Sequence, residues 1–252
     1  VTVPTQDMVL GSYYLTLEKA GEPGEGKVFR NMEEAMMAYD AKVIGLHAMI
    51  KVRRTVEHIG EKVTGLVDTT MGRMIFNRPI PQDLGYVDRT TPEGALQFEV
   101  DFLVGSKQLK AIIERCIKVH GTERSAEVLD EIKAQGYKYS TISGITVAVC
   151  DATIPEAKKE LVDAAQEEVN EIAEEYSEGF LSERERYEAV LKVWDKCTRD
   201  VASALQKGLD KYNPIYMMAD SGARGSISNL NQLAGMRGNI SNTAGKTIEI
   251  PI

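Results

Sequence analysis

The segment from Thr153 to Tyr212 reads TIPEAKKELVDAAQEEVNEIAEEYSEGFLSERERYEAVLKVWDKCTRDVASALQKGLDKY, and it carries the plainest periodicity in the chain. Leu161, Ala165, Val169, Ile172 and Tyr176 recur at steps of three or four, which lines them up in one stripe along a helix. Thr153 and Glu156 have the spacing of a capping box, and Pro155 is tolerated in a first helical turn. Gly179 ends the pattern, and Ser182 with Glu185 forms a second box. A second stripe follows at Tyr187, Val190, Leu191, Trp194, Cys197, Val201, Leu205 and Leu209. Two amphipathic helices joined by so short a turn bury their stripes on each other, so the spacing predicts an antiparallel coiled-coil hairpin. Glu167, Glu168, Glu171, Glu174, Glu175 and Glu178 crowd toward its turn. A solvated helix face and a docking prong both account for that charge; Trp194 and Tyr187 belong with the hairpin core.

Upstream the signals are mixed. Residues 1–31 read as extended segments and turns, with a flexible loop over Gly21–Gly26. Asn31 is an N-cap candidate for a helix over Asn31–Ile44, with Glu33 and Glu34 in its first turn. Ala48–Arg53 and Glu61–Val67 read as strands around a turn near Gly60, and Gly72–Phe76 as another strand. Asp83–Gly94 reads as irregular. Helices are expected over Ser106–Val119 and Glu123–Gln135, ended by Gly121 and Gly136. Thr141–Val149 is apolar and β-branched, the composition of a buried strand or tight segment. The fold class expected is α+β and mainly helical. It comprises an irregular mixed α/β body (residues 1–150), the projecting hairpin (151–212) and a Gly/Arg-rich C-terminal loop segment (213–252).

Composition narrows the function. The 252 residues carry a net charge of −8, with 43% hydrophobic and 27% charged residues, the balance of a globular protein rather than of a free-standing DNA-binding module. Cys116, Cys150 and Cys197 stand far apart, and His47, His58 and His120 form no ligand spacing with them. Zinc binding is therefore not expected, and three dispersed thiols suit a reducing cytosol. No apolar run reaches membrane-spanning length, so the expectation is a soluble, cytoplasmic chain without a membrane partner. No residue here is assigned a catalytic or metal-ligating role.

Beyond the hairpin, Asn213–Gly238 reads NPIYMMADSGARGSISNLNQLAGMRG. Gly222 and Gly225 flank Ala223-Arg224, and Gly235 and Gly238 flank Met236-Arg237. An arginine set between glycines can present its planar fork of donors to a phosphate without crowding. A mobile surface loop with solvated arginines has the same short pattern.

The longer string decides between them. Met217-Met218-Ala219-Asp220-Ser221-Gly222-Ala223-Arg224-Gly225-Ser226, followed by Gln232-Leu233-Ala234-Gly235-Met236-Arg237-Gly238, resembles the β′ subunit family of bacterial DNA-directed RNA polymerase. Val3–Gly11, Tyr13–Thr16, Asp68–Thr70 with Gly72-Arg73 and Ile75–Asn77, and Ile154–Lys159 resemble further blocks of that family in the same order. The resemblance covers essentially the whole chain and is weakest between about Arg89 and Tyr139. The family's Asn-Ala-Asp-Phe-Asp-Gly-Asp motif, whose carboxylates hold the catalytic magnesium, does not occur in this sequence.

The resemblance implies a piece of a larger subunit. Such a piece would start just after that loop, end just before the bridge helix and trigger loop, and be inactive alone. Mg2+ would serve the whole enzyme, with none held here. The hairpin would rim the secondary channel through which nucleotides enter, and its tip, at Glu178, Ser182, Glu183, Arg184 and Arg186, would receive regulatory factors. Arg224 would reach the phosphates of the incoming NTP, or else brace its own loop. Ser226–Gly238 would be the F-loop beneath the bridge helix, with Gln232, Met236 and Arg237 as its contacts to the moving parts. Gln6 and Asp7 would support the catalytic loop, and Arg73 and Asn77 would hold local geometry. Some relatives carry an amide and a lysine after the hairpin tyrosine to bind a polyphosphate alarmone. Glu188 and Ala189 follow Tyr187 here, and an acidic side chain repels such a ligand. The implied partners are the β, α and ω subunits, the remainder of β′, DNA and RNA, in the nucleoid-bearing cytoplasm. The alternative is a non-catalytic coiled-coil scaffold or adaptor. A self-contained phosphate-binding enzyme would need a metal cluster, a general base or a P-loop spacing, and none is present.

Overall fold

The computed structural model describes residues 3–58 and 60–251. It is α+β and mainly helical, with one small sheet, and it divides into two compact units. One comprises Val1–Ile145 with Ser221–Arg224; the other comprises Thr146–Asp220 with Gly225–Ile252.

The first unit opens with a helix, α1 (Asp7–Thr16), where extended chain is expected from the sequence. Its residues are apolar or small on every side, and Val9, Leu10, Gly11, Ser12, Tyr13, Leu15 and Thr16 are all buried. A helix buried all round shows no amphipathic period, so pattern reading misses it. After β1 (Val28–Phe29), helix α2 (Met32–Asp40) starts where expected, and the Asn31 side chain accepts from Glu34 N at 2.9 Å. The sheet has the order β1-β2-β3, with β2 (Met49–His58) parallel to β1 and antiparallel to β3 (Glu61–Thr70). Both strands run three residues or more past the expected ends.

Gly72–Phe76 is helical, not a strand. Helix α3 (Met71–Asn77) is capped by Thr70 Oγ1, which accepts from Arg73 N at 3.1 Å, and every one of its residues is buried. Short apolar runs of this kind fit a buried strand and a buried helix equally well. A short helix, α4 (Pro92–Leu96), interrupts the irregular stretch that follows.

The two helices expected after residue 106 form one long element, α5 (Ser106–Ser143), kinked at Gly121 (φ 75°). Gly136 does not end it. A Cβ on Gly11 would stand 1.9 Å from Gly136 O, and one on Gly136 2.6 Å from Met8 O, so these glycines let α1 and α5 touch backbone to backbone. The helix stops instead at Gly144, which is left-handed (φ 59°). Thr141–Val149 is accordingly helix end and open chain, up to a 3-10 turn that starts at Val149, rather than a buried strand, and Val149 is 95% exposed. The unit's fully buried side chains include Leu15, Ile50, Met71, Met74, Phe76, Leu109, Ile112 and Ile132.

His47 lies in this core with its ring edge-on to Tyr14 at 4.5 Å. Its Nδ1 faces Leu17 O at 3.2 Å, and a carbonyl only accepts, so Nδ1 carries the proton. Nε2 has no partner among the described residues. Burial pushes the imidazole below its ordinary value of 6.5, outweighing the attraction of Glu22. The unfolded chain then binds the proton more tightly than the folded one. Its stabilising contribution is complete above about pH 6.5 and is lost as pH falls through the lower, folded value. His47→Phe is expected to flatten the stability–pH curve below pH 6.5, by up to about 1.4 kcal/mol per pH unit. Urea titrations at pH 7.5, 6.5 and 5.5 measure this; parallel curves for the two proteins would refute it.

The second unit is built on α6 (Lys158–Ser177) and α7 (Glu183–Gly208). Thr153 and Glu156 do not cap α6: it starts after a turn in which Lys158 N donates to Pro155 O, with Ala157 at the cap position. Ser182 and Glu185 do form the second box. Early α7 meets late α6 where the Arg186 guanidinium sits over the Tyr176 ring. Later α7 meets early α6 where Cys197 Sγ faces Leu161 O, so the helices run antiparallel. Ala165, Val190, Trp194, Cys197, Val201 and Met236 form the core between them.

The C-terminal segment is more ordered than a loop. It forms α8 (Pro214–Asp220), α9 (Ile227–Ala234) and a small turn in which Ser241 pairs with Thr247. Leu230 and Ala234 of α9 pack with Leu205 and Leu209.

Candidate functional site

Arg224 is placed by its neighbours rather than by its own side chain. Ser221 and Ala223 are buried; Ser221 O accepts from Ser106 N at 2.8 Å, which pins the segment to the first turn of α5. Gly222 and Gly225 both have φ 71°, a conformation L side chains rarely adopt, and together they turn the chain sharply on either side of Ala223-Arg224. Arg224 is thereby held at the surface. Its Nη2 donates to Gln6 Oε1 at 3.1 Å, across 218 positions of sequence. Among the described residues Arg224 joins no ion pair.

A second arginine of the first unit behaves differently. Arg73 is buried and donates to Thr16 O at 3.2 Å, Asp101 at 3.2 Å and Glu18 at 3.4 Å. Asn77 holds Val100 through both backbone atoms, at 2.7 and 3.1 Å. Burial raises the Asp101 carboxyl despite the adjacent Arg73 guanidinium. These side chains brace the loop that enters α5.

Gln232, Met236 and Arg237 belong to the second unit. Gln232 and Arg237 are exposed. Met236 is buried, with its sulfur 3.8 Å from Cys197 Sγ, so its side chain seats the segment on α7. At the turn between α6 and α7, Glu178, Ser182, Glu183 and Arg184 are exposed, and Arg184 pairs with Glu188 at 2.9 Å. Arg186 is engaged elsewhere: it makes a two-pronged pair with Glu249 at 2.6 and 3.1 Å. Tyr187 Oη donates to Thr247 O at 3.0 Å, and Asn239 Nδ2 donates to Asp195 at 2.9 Å, so the tail is strapped along α7.

Sequence reasoning missed this strap, because nothing in the pattern of residues 239–250 ties them to α7. Nor did it single out Phe180, 76% exposed in the turn, within the tip it expected over Glu178–Arg186. A lone aromatic between two charged helices, in Gly-Phe-Leu-Ser, was the available signal. Among the described residues no three of His, Cys, Asp and Glu gather as a metal would require, and no helix is long and apolar enough to cross a membrane.

Known proteins match the chain end to end. The family described as RNA polymerase Rpb1, domain 3, matches residues 1–152, and that described as RNA polymerase Rpb1, domain 4, matches residues 153–249. The DNA-directed RNA polymerase subunit beta' of Clostridium botulinum (strain ATCC 19397 / Type A) is 56% identical over 252 residues, covering 100% of this chain and 21% of the relative. Those of Caldicellulosiruptor saccharolyticus and Lachnoclostridium phytofermentans are 54% and 53% identical, with 22% and 20% of their lengths covered. The chain thus spans about a fifth of the length of these curated relatives.

Proposed function

The chain belongs to the RNA polymerase Rpb1 family and is similar throughout its length to bacterial β′ subunits, and from that premise we propose that it helps position the incoming NTP for template-directed RNA synthesis. The observation that carries this reading is Arg224: exposed, in no ion pair among the described residues, and set between two glycines at φ 71°. A guanidinium so placed neutralises charge that builds on the departing pyrophosphate and holds the triphosphate in line. Its part is electrostatic, with no proton transferred. On this reading the magnesium of nucleotidyl transfer belongs to the whole enzyme and is held by residues outside this chain. The piece by itself is inactive on this reading.

Three regions divide the work. Residues 1–150 flank the active site and wall the nucleotide-entry channel. Residues 151–212 form the helical hairpin at that channel's rim. Residues 213–252 contribute the substrate-side loop and the F-loop, where Gln232 and Arg237 face the moving parts and Met236 anchors them. Transcription factors dock at Glu178, Ser182, Glu183 and Arg184, with Phe180 as an apolar contact among them. Arg186 shapes the tip through Glu249. The partners are the β, α and ω subunits, the remainder of β′, and DNA and RNA, in the cytoplasm at the nucleoid. A scaffold or adaptor would have no use for the Arg224 loop.

Arg224→Ala in the full-length subunit, assembled into polymerase, is expected to lower the efficiency of single-nucleotide addition about 100-fold, by analogy with loss of one preorganised donor. Assembly and DNA binding should be unchanged. Wild-type kinetics would reduce Arg224 to a loop brace.

A further inference from the structure

Gln6 stands in a backbone conformation that glutamine has little reason to adopt. Its φ is 51° and its ψ −119°, and Met8 N donates to Thr5 O at 3.2 Å, which closes a tight turn with Gln6 at its first corner. That corner is the glycine position of a II′ turn, and an L side chain there is strained. The residue does not repay the strain as a helix cap, because its side chain makes no capping bond to α1. Nor is it buried. The contact shown for its side chain is the one with Arg224, where Oε1 accepts from Nη2 at 3.1 Å.

We propose that Gln6 is a positioning residue for Arg224: a side chain held at a strained corner so that its amide oxygen fixes the direction of the Arg224 guanidinium. This rests on the reading of Arg224 as a phosphate contact. An arginine has a long side chain with many rotamers, and at the surface it would otherwise lose much conformational freedom when it engages a ligand. One hydrogen bond from Nη2 removes part of that freedom beforehand. It leaves the remaining N–H donors of the fork directed outward. The acceptor is also of the right kind. A neutral amide oxygen orients the guanidinium without cancelling its charge, whereas a carboxylate at the same place would compete with a phosphate for it. Gly222 and Gly225 set the direction of the backbone, and Gln6 sets that of the side chain.

Strain and contact can be separated by substitution. Gln6→Gly relieves the corner and deletes the acceptor. Gln6→Met keeps the length and bulk and deletes only the acceptor. Each variant would be made in the full-length subunit, assembled into polymerase, and followed by single-nucleotide addition against NTP concentration. The expected result is a rise of about fivefold in the KM for NTP in both, the size of one net hydrogen bond. The maximal rate should stay near wild type. Combining Gln6→Met with Arg224→Ala should add nothing to Arg224→Ala alone. In the 252-residue chain, Gln6→Gly should melt no lower than wild type, so that lost affinity is not lost stability.

Three results would overturn the proposal, and they are distinguishable. If Arg224→Ala impairs NTP use while both Gln6 variants are wild type, the hydrogen bond is idle. If Gln6→Met worsens the Arg224→Ala enzyme further, Gln6 acts on something else. If Arg224→Ala is itself wild type, the phosphate reading fails, and the positioning role fails with it.

Discussion

Arg89→Ala is expected to destabilise the first unit by about 3–5 kcal/mol, the usual cost of removing one partner from a buried charge pair. Glu99 is 1% exposed. Its carboxylate accepts from Tyr86 N at 2.8 Å and from Arg89 Nε at 3.2 Å. The same guanidinium donates to Ala95 O at 2.8 Å and Gln97 O at 3.2 Å, so one side chain ties together the irregular stretch around α4. Alanine leaves a buried carboxylate with a single amide and takes the donor from two carbonyls. Arg89→Lys should recover less than half, because one ammonium cannot serve three acceptors in a plane. The double variant Arg89→Ala/Glu99→Leu should be milder than Arg89→Ala, since it removes the stranded charge. Trp194, the chain's one tryptophan, lies in the other unit, so amide hydrogen exchange in α1 and α5 is the measurement to make. Protection within about 1 kcal/mol of wild type would sink this account.

Trp194→Ala should cost the second unit a similar amount, about 3–5 kcal/mol. The indole is 4% exposed at the centre of the cluster between α6 and α7. No other residue there is large enough to close the cavity that alanine opens. Trp194 Nε1 finds no acceptor among the described residues. Trp194→Phe therefore removes an unsatisfied donor along with volume, and is expected to cost only about 1–2 kcal/mol. Far-UV circular dichroism against urea reads both variants without relying on tryptophan emission. Equal losses in the two would mean that the ring's volume does not carry the packing. The consequence for function is direct. If the turn docks factors as proposed, α6 and α7 must hold one spacing, and Trp194→Ala should weaken factor binding without touching Glu183 or Arg184.

The stripe of α7 was legible because one face is apolar and the other charged: Val190, Trp194, Cys197, Val201 and Leu205 are all buried, as their spacing implies. The box at Ser182 and Glu185 and the cap at Asn31 were legible for a similar reason, since each is a contact between residues three apart. Where an element is buried on all sides, as in α1 and α3, no contrast between faces exists, and local reading chose extended chain. The same limit applies to Gly136. A glycine that ends a helix and one that admits a crossing helix look alike until the partner, Gly11, is brought against it.

By itself the sequence determined the fold class, the family, the two hairpin helices and the glycine frame around Arg224. These depend on short-range spacing, on composition, or on a long ungapped string. Only the tertiary structure decided which side chains meet across long stretches of sequence. Arg186 is spent on Glu249, Met236 is buried against Cys197, and Gln6 reaches Arg224. Hydrogen bonds act over about 3 Å. Which groups come that close, across 39, 63 or 218 positions, is set by how the elements pack and not by anything local to either residue.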